Sequence, residues 1–238
     1  MNAQPNSAAA REGGSLVRRA MVAVADHIRS RALRVGDVLP GEAHFATELG
    51  VSRAVMREAF GALAALNRIE VVNGRKPRVA AIDGSVMAAA LDHAVATAQV
   101  TVPQVWDVRR TLELRTAALA AEHRTEAEAA RLLEIASAMA RDAGDLTVTT
   151  AHDLAFHQTI AQASRNELFS QIVASFGPLM EVAIPTAWRT RETDEQRRVV
   201  LNRHRDIAQA IADGDPQAAR AAMDAHFDTS IDGLLAES

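Results

Sequence analysis

Cysteine does not occur in the 238 residues, which excludes disulfides, thiolate metal sites and cysteine nucleophiles at once. Any metal site must therefore be built from histidine and carboxylate. Aromatic residues are scarce, at 3% of the chain with no tyrosine. With alanine abundant and turns that punctuate helical rather than alternating patterns, the chain is expected to be mainly α. No apolar run is long enough to span a bilayer, and the N-terminus has no signal-peptide core. The protein is expected to be cytoplasmic, with no membrane partner. The chain is long enough for two domains with real cores.

Positive charge is also unevenly supplied. Residues 1 to 80 hold 12 basic and 7 acidic side chains, a charge of +5, whereas residues 81 to 238 hold 14 and 23, a charge of −9. A basic N-terminal part offers the phosphate-binding electrostatics that dominate affinity for DNA, and the acidic remainder would be repelled by it. Function is expected to divide along the same line.

The stretch from Leu39 to Leu66 reads as two short helices joined by a tight turn. The first spans about 42 to 49 with Phe45, Ala46 and Leu49 inward, and Gly50 ends it by taking a left-handed conformation. Ser52 is a suitable N-cap for the second. On that helix Val55, Ala59, Leu63 and Leu66 share one face, and Arg53 and Arg57 project nearly opposite. A recognition helix needs this arrangement, because its first turns meet base edges while its back is held by a core. Upstream, Val17, Met21, Val24 and Ile28 keep helical spacing from Ser15 to Arg31, and residues 1 to 14 are expected to be a disordered arm. Downstream, Ile69 to Val72, a turn at Asn73-Gly74 and Arg78 to Ala80 read as a hairpin. Its tip carries Arg75, Lys76 and Arg78, and Lys76 is the only lysine in the sequence.

The motifs LP-x-E, GVSR and VMREA, with this spacing, resemble the winged-helix DNA-binding domain of GntR-family bacterial regulators over residues 16 to 79. The resemblance implies that Ser52, Arg53 and Arg57 on the recognition helix, and Asn73, Gly74, Arg75, Lys76 and Arg78 on the wing, contact double-stranded DNA. Two departures stand out: Ala43 replaces the arginine usual after LP-x-E, and the wing holds Lys76, Pro77 and Arg78 where many are richer in glycine. One winged helix covers too few base pairs for genomic specificity, so a homodimer reading a pseudo-palindromic operator is expected.

Residues 82 to 101 are expected to form a linker helix, and residues 102 to 238 an antiparallel helical bundle. Helices are expected at about 103–123, 126–141, 151–163, 167–191, 194–213 and 216–235, marked by capping signals at Thr125, Asn166 and Thr193. Gly177-Pro178 and Pro185 should break or bend the fourth. Asp153 and His157 lie four apart and project from one helix face. The last two helices form a hairpin about Gly214, with His204 ten residues before it and His226 twelve after. At 1.5 Å per residue these lie roughly 15 and 18 Å from the turn, so antiparallel packing can bring the imidazoles to similar height. Each shares its face with apolar residues, so both can point inward. Three imidazoles and a carboxylate suit a borderline divalent ion, zinc first, with nickel, manganese or cobalt as alternatives. His152 lies on the other side of its helix.

The segments VWDVRRTLEL, DLAFH, NRHRDI and MDAHF resemble the FCD effector domain of the FadR-type branch of GntR regulators, over residues 103 to 235. That resemblance implies metal ligation by Asp153, His157, His204 and His226, an effector contact at Arg109, and a small organic acid as effector; with Glu113 one turn on, the alternative role for Arg109 is a surface salt bridge to Glu113. The expected function is a metabolite-responsive transcription regulator acting as a repressor. The alternative is a metal-dependent enzyme fused to a DNA-binding head; no motif supplies it a general base, and nothing fixes the candidates Glu181 and Asp224 near the metal.

Overall fold

The computed structural model describes residues 7–231. The chain divides after Asp83 into two compact units. The first holds α1 (Ser7–Ser30), α2 (Glu42–Leu49), α3 (Arg53–Ala65) and an antiparallel pair of strands, β1 (Ile69–Glu70) and β2 (Arg78–Val79). Its core joins Val24 of α1, Phe45 of α2, Met56, Phe60 and Leu63 of α3, and Ile69. Gly50 takes the expected left-handed conformation at φ 62°, and its N–H closes α2. Ser52 accepts a hydrogen bond from the Val55 N–H at 3.2 Å, which fixes the start of α3.

Three details of this unit differ from expectation. Residues 7–14 belong to α1 rather than to an irregular arm, consistent with the strong helix preference of Ala8 to Ala10. Residues 1–6 lie outside the described residues. The fully buried stripe of α3 is Met56, Ala59, Phe60 and Leu63, with the expected Val55 half-buried against the same core. Leu66 lies past the last turn and is 45% exposed. The paired strands are also shorter than the expected hairpin. Their register is Ile69 with Val79 and Glu70 with Arg78, and Pro77, which has no N–H to extend the ladder, accepts instead from the Leu39 N–H at 2.8 Å.

The second unit is all helix: α4 (Ser85–Ala96), α5 (Val102–His123), α6 (Glu126–Arg141), α7 (Leu146–Ala163), α8 (Glu167–Ser175), α9 (Gly177–Arg189), α10 (Asp194–Ala212) and α11 (Pro216–Ile231). The fold is thus mainly α, a helix-turn-helix unit followed by a helical bundle. α11 packs along α5 and α10, α6 packs on α7 and α10, and α7 also lies on α5. Leu132, Phe156, Ile160, Ile207, Ile211, Met223 and Phe227 form the core. Thr125–Glu128 and Thr193–Gln196 are capping boxes as expected, and Thr101–Gln104 is a third. α7 starts five residues before its expected position because Asp145 caps it, accepting from the N–H groups of Thr147 and Val148. α8 and α9 meet at a 54° bend at Phe176 and Gly177-Pro178, whereas Pro185 sits inside α9, which runs on to Arg189. Among the described residues no single helix is long and apolar enough to cross a membrane.

The segment expected to be a linker is part of this unit. α4 packs against α8 and α9, and it enters through Gly84 at φ +74°. A Cβ there would stand 2.6 Å from the backbone oxygen of Gln171 on α8, so glycine serves both the left-handed turn and the close approach. Gly84→Ala is expected to destabilise the second unit by about 2 kcal/mol or more. Urea denaturation checks this, and a midpoint equal to that of the parent would show that α4 is not seated as described.

Candidate functional site

In the first unit Arg53 and Arg57 are exposed on α3 while the opposite face is buried. Asn73, Gly74, Arg75 and Lys76 are likewise exposed in the loop between β1 and β2, and Gly74 takes φ 75° to turn the chain. Arg78 differs from its neighbours because Nη1 donates to the Gly36 carbonyl at 2.5 Å. It braces the base of the loop. The exposed cations of this unit, on a capped helix and on a turn, form a surface that can meet phosphates and base edges.

In the second unit the packing of α7, α10 and α11 brings together all four of the residues singled out as ligands. The His204 and His226 rings lie 4.6 Å apart, and those of His157 and His226 5.2 Å apart. One ring nitrogen from each of His157, His204 and His226 falls within 4.8 Å of the others. Asp153 adds a carboxylate, with Oδ1 3.0 Å from His204 Nε2 and Oδ2 3.9 Å from His157 Nε2. All four are buried. His152 is turned away and pairs with Asp142.

The surroundings determine which ring nitrogens are available. His157 Nδ1 bonds Glu113 of α5, and His204 Nδ1 bonds the Val200 carbonyl at 3.0 Å. Each acceptor requires the proton on Nδ1, so the neutral rings direct bare Nε2 lone pairs at the centre. His157 Nε2 is buried with no hydrogen bond among the described residues. His204 Nε2 faces the Asp153 carboxylate, so two acceptors stand in contact unless a cation or an added proton lies between them. Burial pushes the His226 imidazole well below its ordinary pKa, and the nearby His204 and His157 reinforce the effect. A proton on His226 beside the other two rings is therefore unfavourable, and a divalent ion fits the donor set.

Glu113, one turn after Arg109 as the spacing places it, also reaches His157 on another helix, a contact that spacing does not show. It also pairs with Arg109 Nε at 2.5 Å, and Arg109 Nη1 bonds Met180 Sδ. Arg109 is 3% exposed and lies 5.3 Å over Trp106, so its ion pair with Glu113 is a buried one. Burial raises the Glu113 pKa, but the charge of Arg109 and then that of His157 outweigh it and leave it lowered. Asp153 behaves alike: burial opposes ionisation, but a protonated His204 hydrogen-bonded to it, with the charges of protonated His157 and His204, prevails and holds it below the usual carboxylate range.

The cluster opens on a small cavity of about 40 Å³. Its lining includes Trp106 and Arg109, Ile184 and Trp188 of α9, and Arg191 just beyond that helix. Arg191 was missed by sequence reading, since no motif marks the turn between α9 and α10. Burial lowers its pKa and the Asp153 charge partly restores it. Of the two general bases considered for an enzyme, Glu181 is exposed and Asp224 is tied to Arg110 at 2.8 Å.

Glu113→Ala leaves Arg109 buried without its carboxylate and is expected to cost about 3 to 5 kcal/mol, read by urea denaturation. For pH the signs agree. An unfolded His226 takes up a proton below about pH 6.5 that the folded ring resists, and the lowered carboxylates Asp153 and Glu113 lose their contribution at lower pH still. Metal-free protein should therefore lose melting temperature steadily below about pH 6.5, with the first part of the fall flattened by His226→Gln. A stability rising on acidification would contradict this.

Comparison with known proteins fits both units. Residues 16–79 match the family described as bacterial regulatory proteins, gntR family, and residues 104–229 match the FCD domain. The HTH-type transcriptional regulator LutR of Bacillus subtilis (strain 168) is 31% identical over 215 residues, covering 87% of this chain and 95% of the relative. The Glc operon transcriptional activator of Escherichia coli (strain K12) is 29% identical over 203 residues, covering 83% and 80%. The solved structure of Streptococcus agalactiae GntR superposes with a TM-score of 0.63 at 24% identity, covering 90% of this chain and 97% of that one, and shares the fold. With both domains matched in order along one chain, the protein belongs to the GntR family, in the FadR-type branch that carries an FCD domain, and is a transcription regulator rather than an enzyme.

Proposed function

We propose that this regulator is a homodimeric cytoplasmic repressor whose FCD domain binds a divalent metal and a small organic-acid effector. The observation that carries the metal is the contact of His204 Nε2 with Asp153, which lacks a proton once Nδ1 is committed to Val200. Asp153, His157, His204 and His226 would hold the ion, zinc first, with nickel, manganese or cobalt also suited to nitrogen and carboxylate donors. Such an ion supplies Lewis-acidic coordination for an acid's oxygen. Glu113 and the Val200 carbonyl keep two imidazoles in the ligating tautomer. Arg109 spends Nε and Nη1 within the protein, which leaves Nη2 for the effector.

For DNA, the proposed contacts are Ser52, Arg53 and Arg57 at the start of α3, with Asn73, Gly74, Arg75 and Lys76 of the wing, Arg78 bracing it and free to offer a second donor. Repression is proposed because occupancy of an operator suffices for it, whereas activation needs a further surface for the polymerase. A switch requires that the effector bind two arrangements unequally. A ligand in the cavity touches α9 through Ile184 and Trp188, and α9 packs on α4, the first helix after the domain boundary. This is the physical route proposed for the response.

The test uses duplex operators selected by the purified protein. Arg53→Ala or Arg57→Ala should weaken specific binding by about 1 to 3 kcal/mol, and Lys76→Ala should chiefly reduce the salt slope by about one. Small organic acids should weaken operator binding of metal-loaded protein and have no effect after chelation. Unchanged operator affinity in both arginine variants would remove the recognition-helix assignment. A failure of every acid, with metal bound, would remove the effector.

A further inference from the structure

Two hydrogen-bond donors at the cavity lack an acceptor of matching charge or chemistry. The buried Trp106 Nε1–H has no hydrogen-bond partner among the described residues. Arg191 donates Nη1 to the Ala187 carbonyl at 2.6 Å and lies 5.9 Å from the Trp188 ring. It pairs with no carboxylate among the described residues. Arg109, the guanidinium marked by the sequence, is by contrast already neutralised by Glu113. The guanidinium at the cavity without a direct carboxylate partner among the described residues is therefore Arg191, which sequence motifs pass over.

Charge balance narrows the ligand. With the imidazoles as neutral donors, Asp153 and Glu113 cancel Arg109 and Arg191, so a divalent ion leaves the chamber two charges positive. Such an excess is costly in a poorly solvated space, and one monoacid removes only half of it. The small cavity, about 40 Å³, restricts the remedy to a short molecule.

We propose that Arg191 is the specificity-determining residue of this pocket, and that it selects a short diacid. One acidic group occupies the open positions of the ion, and the other pairs with Arg191, with the Trp106 N–H as a further donor. This rests on the metal site proposed above. The pairing also ties the turn after α9 to the ligands of α7, α10 and α11, so binding of the second acidic group stiffens the helix that contacts α4.

The experiment is calorimetric titration of the zinc-loaded full chain with malonate and succinate, each compared with its half-amide, malonamate or succinamate. The half-amides keep one carboxylate for the metal and remove the second charge. The parent protein should prefer a diacid over its half-amide by about tenfold or more, the scale of a charge-assisted hydrogen bond. Arg191→Gln should abolish that preference while zinc content, measured by atomic absorption, and half-amide affinity stay unchanged. Arg191→Lys should restore part of it. A preference surviving in Arg191→Gln overturns the proposal, as does a parent protein with none, or an equal loss of half-amide affinity, which would mark Arg191 as structural. A parent chain that takes up no zinc fails at the earlier step and overturns the metal site itself.

Discussion

The contact between His204 Nε2 and the Asp153 carboxylate, buried and 3.0 Å long, constrains the whole second unit. Nδ1 of the same ring is bound to the Val200 carbonyl, so a neutral imidazole cannot donate on both sides. Something positive must sit between ring and acid. The other two imidazoles aim at the same place, and burial with that crowding disfavours a proton on His226. The helices α7, α10 and α11 are then held by a centre that hydrophobic packing alone cannot complete. Glu113 extends the constraint to α5, because one carboxylate both fixes His157 and neutralises Arg109. A buried network of this kind fixes one arrangement when satisfied and is unstable when any member is missing.

The two functions are kept apart in sequence and in charge. The α3 helix and the wing carry exposed cations on a basic unit, where attraction to phosphate helps. The acidic unit surrounds a pocket in which guanidinium and imidazole groups are buried among carboxylates. A local path of contacts leads from the pocket to α4: the cavity lining includes α9, α9 packs on α4, and α4 begins at Gly84 against α8. Glycine there is required by both backbone angle and contact distance, so α4 starts in close contact with α8.

Much of this was legible from the sequence because it depends on local periodicity. Gly50 and Ser52 marked the ends of two helices through backbone chemistry, and the hairpin about Gly214 placed His204 opposite His226 by rise per residue alone. Asp153 and His157 needed only their four-residue spacing. What escaped depended on contacts between distant segments. The contact of Glu113 with His157 comes from another helix, Arg191 gains its place from a turn whose direction no motif sets, and α4 from packing on α8 and α9. The expected stripe on α3 drifted from Phe60 to Leu66 because a helical wheel does not show where the core ends.

Bound metal tests the account most directly. Zinc per chain and melting temperature should be measured for the parent and for single alanine substitutions at Asp153, His157, His204, His226 and, as a control, His152. Binding to the folded state alone should stabilise the parent by about 2.7 kcal/mol at a hundredfold excess over the dissociation constant. Each of the four substitutions should weaken zinc binding and remove that gain, and His152→Ala should keep both. A chain that takes up no divalent ion, or one in which His152→Ala loses the metal and His226→Ala does not, would contradict the account.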